Sequence, residues 1–299
     1  MKRWHVDGFL LVIVMLWGST FFVVRGATDG FPPITLVALR FSLATIAMLP
    51  WAFRSMRTWT RQDWIAGSVL GLILTVGYIS QTMGIARTTA SRAGFITGLN
   101  VIMVPLMVAL VWRTKVRVQV WVGVLLTVLG LYILSRTPTD QVGGSSLLGD
   151  SLVFICAVFF AIHIIAIGYW TRKCSLVAMN IIQMGVVAVA SAPIAVIFEQ
   201  TTTIPSSVWW SAAYLGVICT AFLLAIQMMA QRHASPTHTA LIFVLEPVFA
   251  ALFAAMFGGE KLTQSLIWGG LVMLMGIVLA ELPPLFRAKE REQPVEAEG

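Results

Sequence analysis

A few polar side chains stand in the middle of long apolar runs: Arg40, Tyr78, Gln81, Thr97, Asn100, His163, Gln183, Gln227 and Glu246. In hydrocarbon an unsatisfied polar group costs several kcal/mol, so such residues are expected to face a protein interior or an aqueous cavity. Amides offer donors and acceptors together and suit a neutral or zwitterionic ligand, whereas a site for an anion calls for several Lys or Arg. Only Arg40 is available for that task. The same amides could instead tie neighbouring helices together. Glu246 precedes Pro247, which lacks an N–H donor and frees a carbonyl one turn earlier, so a helix break at membrane depth is expected there. Three readings of Glu246 stand: a structural pair with Arg40, a reversible proton site, or a place at the mouth of a cavity without a partner. His163, with an unperturbed pKa of about 6.5, suits a proton relay or a neutral hydrogen-bonded core position.

Enzyme chemistry finds no such foothold. The chain has no P-loop, no G-x-G-x-x-G after a strand, no H-E-x-x-H and no G-x-S-x-G. Paired carboxylates and nucleophile-base arrangements are not visible either. His5, His233 and His238 lie at helix ends away from His163, and Cys156, Cys174 and Cys219 show no C-x-x-C spacing. Neither enzyme activity, a metal, a cofactor nor direct use of ATP is expected.

The elements that hold these residues must lie in a bilayer. With 58% hydrophobic and 11% charged residues, 299 residues carry too little polar surface to cover a soluble globule. Crossing about 30 Å of hydrocarbon takes roughly 20 apolar residues per helix. Ten such spans can be marked near 8–26, 33–53, 63–86, 91–112, 118–135, 149–171, 176–198, 208–231, 236–258 and 265–286.

The second half repeats the first. At an offset of 143, Asp7 meets Asp150, Trp17 meets Phe160, Arg40 meets Gln183 and Pro50 meets Pro193. Three extra residues near Thr201 shift the offset to 146, which aligns Trp64 with Trp210, Gln81 with Gln227, Asn100 with Glu246 and Gly130 with Gly276. Five spans per half make the second half enter from the opposite side, so the repeat is expected to be inverted, with a site at the repeat interface. Lys and Arg favour cytoplasmic loops. With the N-terminus inside, basic residues such as Arg54, Arg57, Arg61, Arg113, Lys115, Arg172, Lys173 and Arg232 collect on the inner side, and only Arg25, Arg87, Arg92, Arg136 and Lys261 lie outside. Both termini are therefore expected in the cytoplasm.

The net charge of +7 is scattered over loop ends, which fits orientation by anionic lipid better than nucleic-acid binding. Residues 287–299 read as a disordered cytoplasmic tail. Trp17, beside Gly18, Ser19 and Thr20, fits a cavity wall or ordinary packing at small residues. Gly123 and Gly130 in the fifth helix and Gly269, Gly270 and Gly276 in the tenth imply close helix approach, either within the bundle or across a homodimer.

The chain resembles the EamA-type members of the drug/metabolite transporter superfamily. Trp17-Gly18-Ser19, Pro32 with Leu39-Arg40-Phe41, Thr89-Ala90-Ser91, Leu245-Glu246-Pro247-Val248 and Gly259-Glu260-Lys261-Leu262 carry the likeness, in order, over nearly the whole sequence. The resemblance implies an all-α integral membrane protein of ten transmembrane helices, two inverted five-helix repeats (1–140 and 146–286) around a central cavity. Carried onto this chain, the cavity presents Trp17, Thr20, Tyr78, Gln81, Asn100, His163 and Gln227 as substrate-binding residues, with Arg40 and Glu246 structural or proton-coupling. The expectation is a bacterial inner-membrane secondary transporter that exports amino acids or related small metabolites by alternating access, its partners being that substrate and membrane lipids. Uptake, exchange or drug efflux are the alternatives within transport. A lipid scramblase or a non-transporting membrane scaffold is the alternative from another class.

Overall fold

The computed structural model describes residues 3–111, 118–135, 147–201, 203–234, 239, 242–243 and 245–281. The expected boundary between the halves, at 140–146, and the tail 287–299 lie outside them. Among the described residues the chain is helical throughout, without strands. Seven helices are long and apolar enough to cross a membrane, and three shorter apolar ones, Val118–Ile133, Glu246–Phe257 and Gln264–Leu279, accompany them.

The helices are α1 (Arg3–Ala27), α2 (Pro33–Ser55), α3 (Arg61–Ile85), α4 (Ala90–Thr97), α5 (Asn100–Val111), α6 (Val118–Ser135), α7 (Leu147–Trp170) and α8 (Leu176–Phe198). After α9 (Ser206–Ala213) comes a wide π-type stretch, Tyr214–Phe222, then α10 (Leu223–Gln231), α11 (Glu246–Phe257) and α12 (Gln264–Glu281). Their starts follow from local chemistry. Pro33 opens α2, where its missing N–H costs nothing. Thr60 and Asp63 form a capping box on α3, with Thr60 N–H donating to Asp63 Oδ2 at 2.8 Å and Asp63 N–H to Thr60 Oγ1 at 3.2 Å. Ser175 caps α8, and Thr89 caps α4.

The apolar faces pair the two halves of the chain. α2 packs on α8, α3 on α7 and α8, α1 on α11, α4 and α5 on α7, and α6 on α12. The α6–α12 contact uses the glycines that left a homodimer open. A Cβ on Gly130 would come within 2.6 Å of the Gly269 carbonyl, and one on Gly276 within 2.6 Å of the Gly123 carbonyl. The small-residue faces of these helices are thus consumed inside the chain, as expected of backbones in close approach.

Two helices are interrupted where the sequence placed equivalent polar residues. A turn at Gly98 and Leu99 separates α4 from α5, which starts at Asn100. α11 starts at Glu246, with Pro247 in its first turn, where a missing N–H is tolerated. Much of the remainder of the expected span 236–258 lies outside the described residues. The two interruptions touch: a Cβ on Gly98 would lie 2.6 Å from Pro247 Cγ, so only glycine admits the proline ring.

Carboxylates of residues 147–281 grip the ends of first-half helices at one end of the bundle. Glu199 accepts from the N–H groups of Ile34 (2.9 Å) and Thr35 (2.7 Å), and Glu260 from those of Ala90 (2.6 Å) and Ser91 (3.2 Å). Asp150 accepts from Thr88 Oγ1 at 3.0 Å and from Arg92 Nε at 2.9 Å. Each helix N-terminus exposes unpaired N–H donors with a partial positive charge, which is what a carboxylate satisfies. At the opposite end Asp63 Oδ1 accepts from the Ser175 N–H at 2.7 Å.

Candidate functional site: a polar cavity at the centre of the bundle

A pocket of about 480 Å³, counting the space open to its surroundings, lies among α1, α2, α3, α5, α7, α10 and α11. Trp17 and Thr20 come from α1, Arg40 from α2, Tyr78 and Gln81 from α3, His163 from α7 and Gln227 from α10. Asn100 and Glu246 stand at the first residues of α5 and α11, the two interruptions. The structure therefore gathers the nine residues that the resemblance carried onto this chain onto one wall system, whereas Thr97 and Gln183, also singled out as mid-helix polar residues, do not line it. Leu74, Phe160, Ile164, Leu224 and Phe243 complete the lining.

Arg40 is 2% exposed, and its Nε donates to Thr220 Oγ1 at 2.7 Å. Its Cζ lies 4.6 Å from the ring centroid of Tyr78, which is clamped edge-on between Phe41 (4.8 Å) and Phe160 (5.1 Å). The guanidinium is drawn to an aromatic face and a hydroxyl, both attractive to a desolvated cation. Glu246 is 7% exposed. The pair with Arg40 that the sequence left open does not form: no Arg40–Glu246 contact within 4.0 Å occurs among the described residues, in which Arg92 bridges to Asp150 instead. A guanidinium and a carboxyl group thus share a buried cavity without joining each other.

The amides behave similarly. Asn100 Oδ1 and Gln227 Oε1 are buried with no hydrogen-bond partner among the described residues, as is Thr97 Oγ1 one turn before Asn100. Such orphaned atoms are uncommon in folded proteins and mark places where another group belongs. Thr20 donates to the Trp17 carbonyl (2.7 Å), and the Trp17 indole N–H donates to the Cys219 carbonyl (2.9 Å). That carbonyl sits in the π-type stretch, where the widened turn changes the usual i to i−4 pairing. His163 Nε2 faces Gln183 Oε1 at 3.0 Å.

The lining also carries a numerical pattern. Ten of its fourteen residues fall into five pairs at the repeat offsets: Trp17 with Phe160 and Thr20 with His163 at 143, and Tyr78 with Leu224, Gln81 with Gln227 and Asn100 with Glu246 at 146.

The model of the EamA-like transporter family matches this sequence twice, over residues 6–136 and 147–282. The chain belongs to the EamA-like transporter family. It is similar to an uncharacterized transporter of Archaeoglobus fulgidus, with 31% identity over 94% of this chain and 87% of the relative. It is also similar to the uncharacterized inner membrane transporter YedA of Escherichia coli K12, with 26% identity over 96% of this chain and 94% of the relative. A solved crystal structure superimposes with a TM-score of 0.69 over 93% of this chain and 97% of its own, at 18% identity, which speaks for the fold alone. This EamA-like protein is thus a multi-pass membrane transporter, and the family does not say what it moves.

Sequence reasoning missed several groups that shape the EamA-like cavity. Phe160 was within reach as the repeat counterpart of Trp17. Thr220, the Arg40 partner, and Asn180, which supports Gln183, carry no signal of their own, because a threonine or asparagine in a helix is read as a neighbour tie unless its partner is known.

Proposed function

We propose that this chain exports an amino acid across the bacterial inner membrane by alternating access, driven by a gradient or by exchange. In this reading three shorter apolar helices complete ten spans, arranged as two inverted five-helix repeats. The observation that carries it is the cavity chemistry: a buried guanidinium and a buried carboxylate, unpaired with each other, beside amide oxygens that lack partners. A zwitterion supplies the complement, its carboxylate to Arg40 and its ammonium to Glu246 and the amide oxygens. Trp17, Phe160 and Phe243 leave room for an apolar side chain among them.

The five lining pairs at the repeat offsets support a pseudo-two-fold axis through the site, as does the reciprocal packing of α1 on α11 and of α5 on α7. The charge bias of the loops puts both termini in the cytoplasm, and the grips of Glu199, Glu260 and Asp150 then lie at the outer end. Outward opening breaks these contacts and inward opening breaks the Asp63–Ser175 contact. Glu246 without an internal cation must be neutralised by substrate or by a proton, which makes it the residue through which a proton gradient could act.

The test is uptake of a labelled panel of aromatic and small neutral amino acids into proteoliposomes, with and without an imposed pH gradient. Saturable flux that is lost in Gln81→Ala and Gln227→Ala supports the reading. A folded, correctly inserted protein that moves no amino acid overturns it.

A further inference from the structure

A buried chain of hydrogen bonds behind the cavity can be assigned atom by atom, because it ends on a group with only one role. The Ala221 carbonyl can only accept. The Asn180 side-chain atom 3.1 Å from it is therefore the nitrogen Nδ2, and Oδ1 is left facing Gln183. The Gln183 atom 3.2 Å from that oxygen must in turn be Nε2, so its oxygen Oε1 faces the histidine ring. At 3.0 Å from Oε1, His163 Nε2 has to be the donor. Reversing either amide would set two oxygens against each other, so the order does not depend on how the amides were drawn. In the neutral imidazole this leaves Nδ1 as a lone-pair acceptor. Nδ1 has no protein partner among the described residues, and the ring lines the cavity.

The chain also settles what His163 is not. It runs through two carboxamides to a backbone carbonyl, none of which passes a proton onward, so no relay leads from His163 along this chain. All four residues are buried, and Ala221 belongs to the π-type stretch. A buried run of hydrogen bonds with one possible order holds its last member in one tautomer.

We propose that Gln183 and Asn180 are positioning residues that lock His163 in the Nε2–H tautomer, so that Nδ1 is a fixed hydrogen-bond acceptor that selects substrates presenting a donor, the α-ammonium group, over analogues presenting an oxygen. This rests on the amino-acid reading of the cavity. His163 is absent from the first half at the equivalent position, which is Thr20, so the acceptor stands on one side of the site only. It orients the substrate as well as selecting it.

The experiment uses full-length protein in nanodiscs with His5, His233 and His238 replaced by asparagine and the remaining histidine labelled with ¹⁵N. The expected spectrum shows protonated Nε2 and bare Nδ1, with the Nδ1 signal moving when phenylalanine is added and staying put with phenylpyruvate. Gln183→Leu should mix the tautomers, whereas Gln183→Glu, examined at a pH where the carboxyl is protonated so that its O–H donates to Asn180 Oδ1 and its C=O accepts from Nε2–H, should retain the lock. In proteoliposomes the Ki of phenylpyruvate against phenylalanine uptake should fall about tenfold in Gln183→Leu relative to the Gln183→Glu variant, the scale of one buried hydrogen bond gained. An imidazolium or an Nδ1–H ring in the otherwise native protein overturns the lock, and so does an unaltered tautomer in Gln183→Leu. If Gln183→Leu does not fold, loss of the Nε2–H signature in Gln183→Glu overturns it instead. A mixed tautomer with unchanged Ki refutes selection. Absence of any phenylalanine flux refutes the amino-acid reading, while the spectrum still decides the tautomer.

Discussion

Arg40→Met separates binding from folding. In the folded protein the substitution forfeits the bond from Nε to Thr220 at 2.7 Å, about 1.5–3 kcal/mol for a charged donor. It also forfeits the contact with the Tyr78 face at 4.6 Å, about 0.5–2 kcal/mol. Against these losses it removes a guanidinium that is 2% exposed and has no ion-pair partner among the described residues, a desolvation cost of several kcal/mol. The terms offset each other, so the thermal midpoint in detergent should move by no more than about 4 °C. Binding should respond quite differently. If Arg40 holds the substrate carboxylate, about 1.5–3 kcal/mol is lost, which at about 1.4 kcal/mol per decade weakens phenylalanine roughly 10- to 150-fold. Phenethylamine, which has no carboxylate, should lose almost nothing. Competition against labelled phenylalanine in a scintillation proximity assay reads both. The reasoning is refuted if Arg40→Met binds phenylalanine within about threefold of the parent protein, or if phenethylamine weakens to the same degree.

Three further outcomes follow from other contacts. Gly130→Ala puts a Cβ 2.6 Å from the Gly269 carbonyl, so α6 and α12 must separate at a cost of about 1–3 kcal/mol; the midpoint should fall while the oligomeric mass from light scattering stays the same, and a loss of mass would show that these glycines join two copies. Glu260→Gln weakens the grip on the Ala90 and Ser91 N–H groups by about 1 kcal/mol, so spin labels at Asp29 and Leu262 should show a wider distance population, and an unchanged distribution would speak against a latch. Burial and the Asp63 carboxylate push the Cys174 thiol above its ordinary value, which leaves less thiolate near neutrality; maleimide should label it slowly, faster as pH rises, and faster in Asp63→Asn. Labelling of Cys174 from outside intact cells would reverse the proposed orientation.

The cavity was legible in the sequence because lipid penalises polarity. Such polar residues in an apolar span call for a cavity or for ties between helices, and Gln81, Asn100, Gln227 and Glu246 all line the same space. The break at Glu246 was legible too, since Pro247 declares a missing donor. Its counterpart at Gly98 and Leu99 was not, because a glycine in a membrane helix ordinarily signals packing, and here its purpose is set by a proline from the other half of the chain. The partner of Arg40 was misjudged for a related reason. Opposite charges suggest a pair, but a guanidinium also has a planar face, and in this fold Tyr78 meets that face while Thr220 meets its edge. Partners chosen by three-dimensional approach leave no periodic trace along the chain.

Under the proposed inverted frame, the pairs that differ say more than the pairs that agree. Gln81 and Gln227 are identical, and Trp17 and Phe160 are both aromatic, which gives each half of the cavity the same polar and stacking surface. Asn100 is set against Glu246, Thr20 against His163, and Arg40 against Gln183. Alternating access needs halves that can exchange roles, which favours a near-symmetric backbone. Holding a ligand with an acidic and a basic end needs the reverse, since a symmetric lining would bind it equally well in two directions. The substitutions that break the symmetry introduce one carboxylate, one guanidinium and one imidazole, each on a single side. A ligand that meets them has one orientation, and double-mutant cycles between Arg40→Met and Glu246→Gln with phenylalanine, phenethylamine and phenylpyruvate would reveal it: the carboxylate should couple to Arg40 and not to Glu246, and the ammonium to Glu246 and not to Arg40.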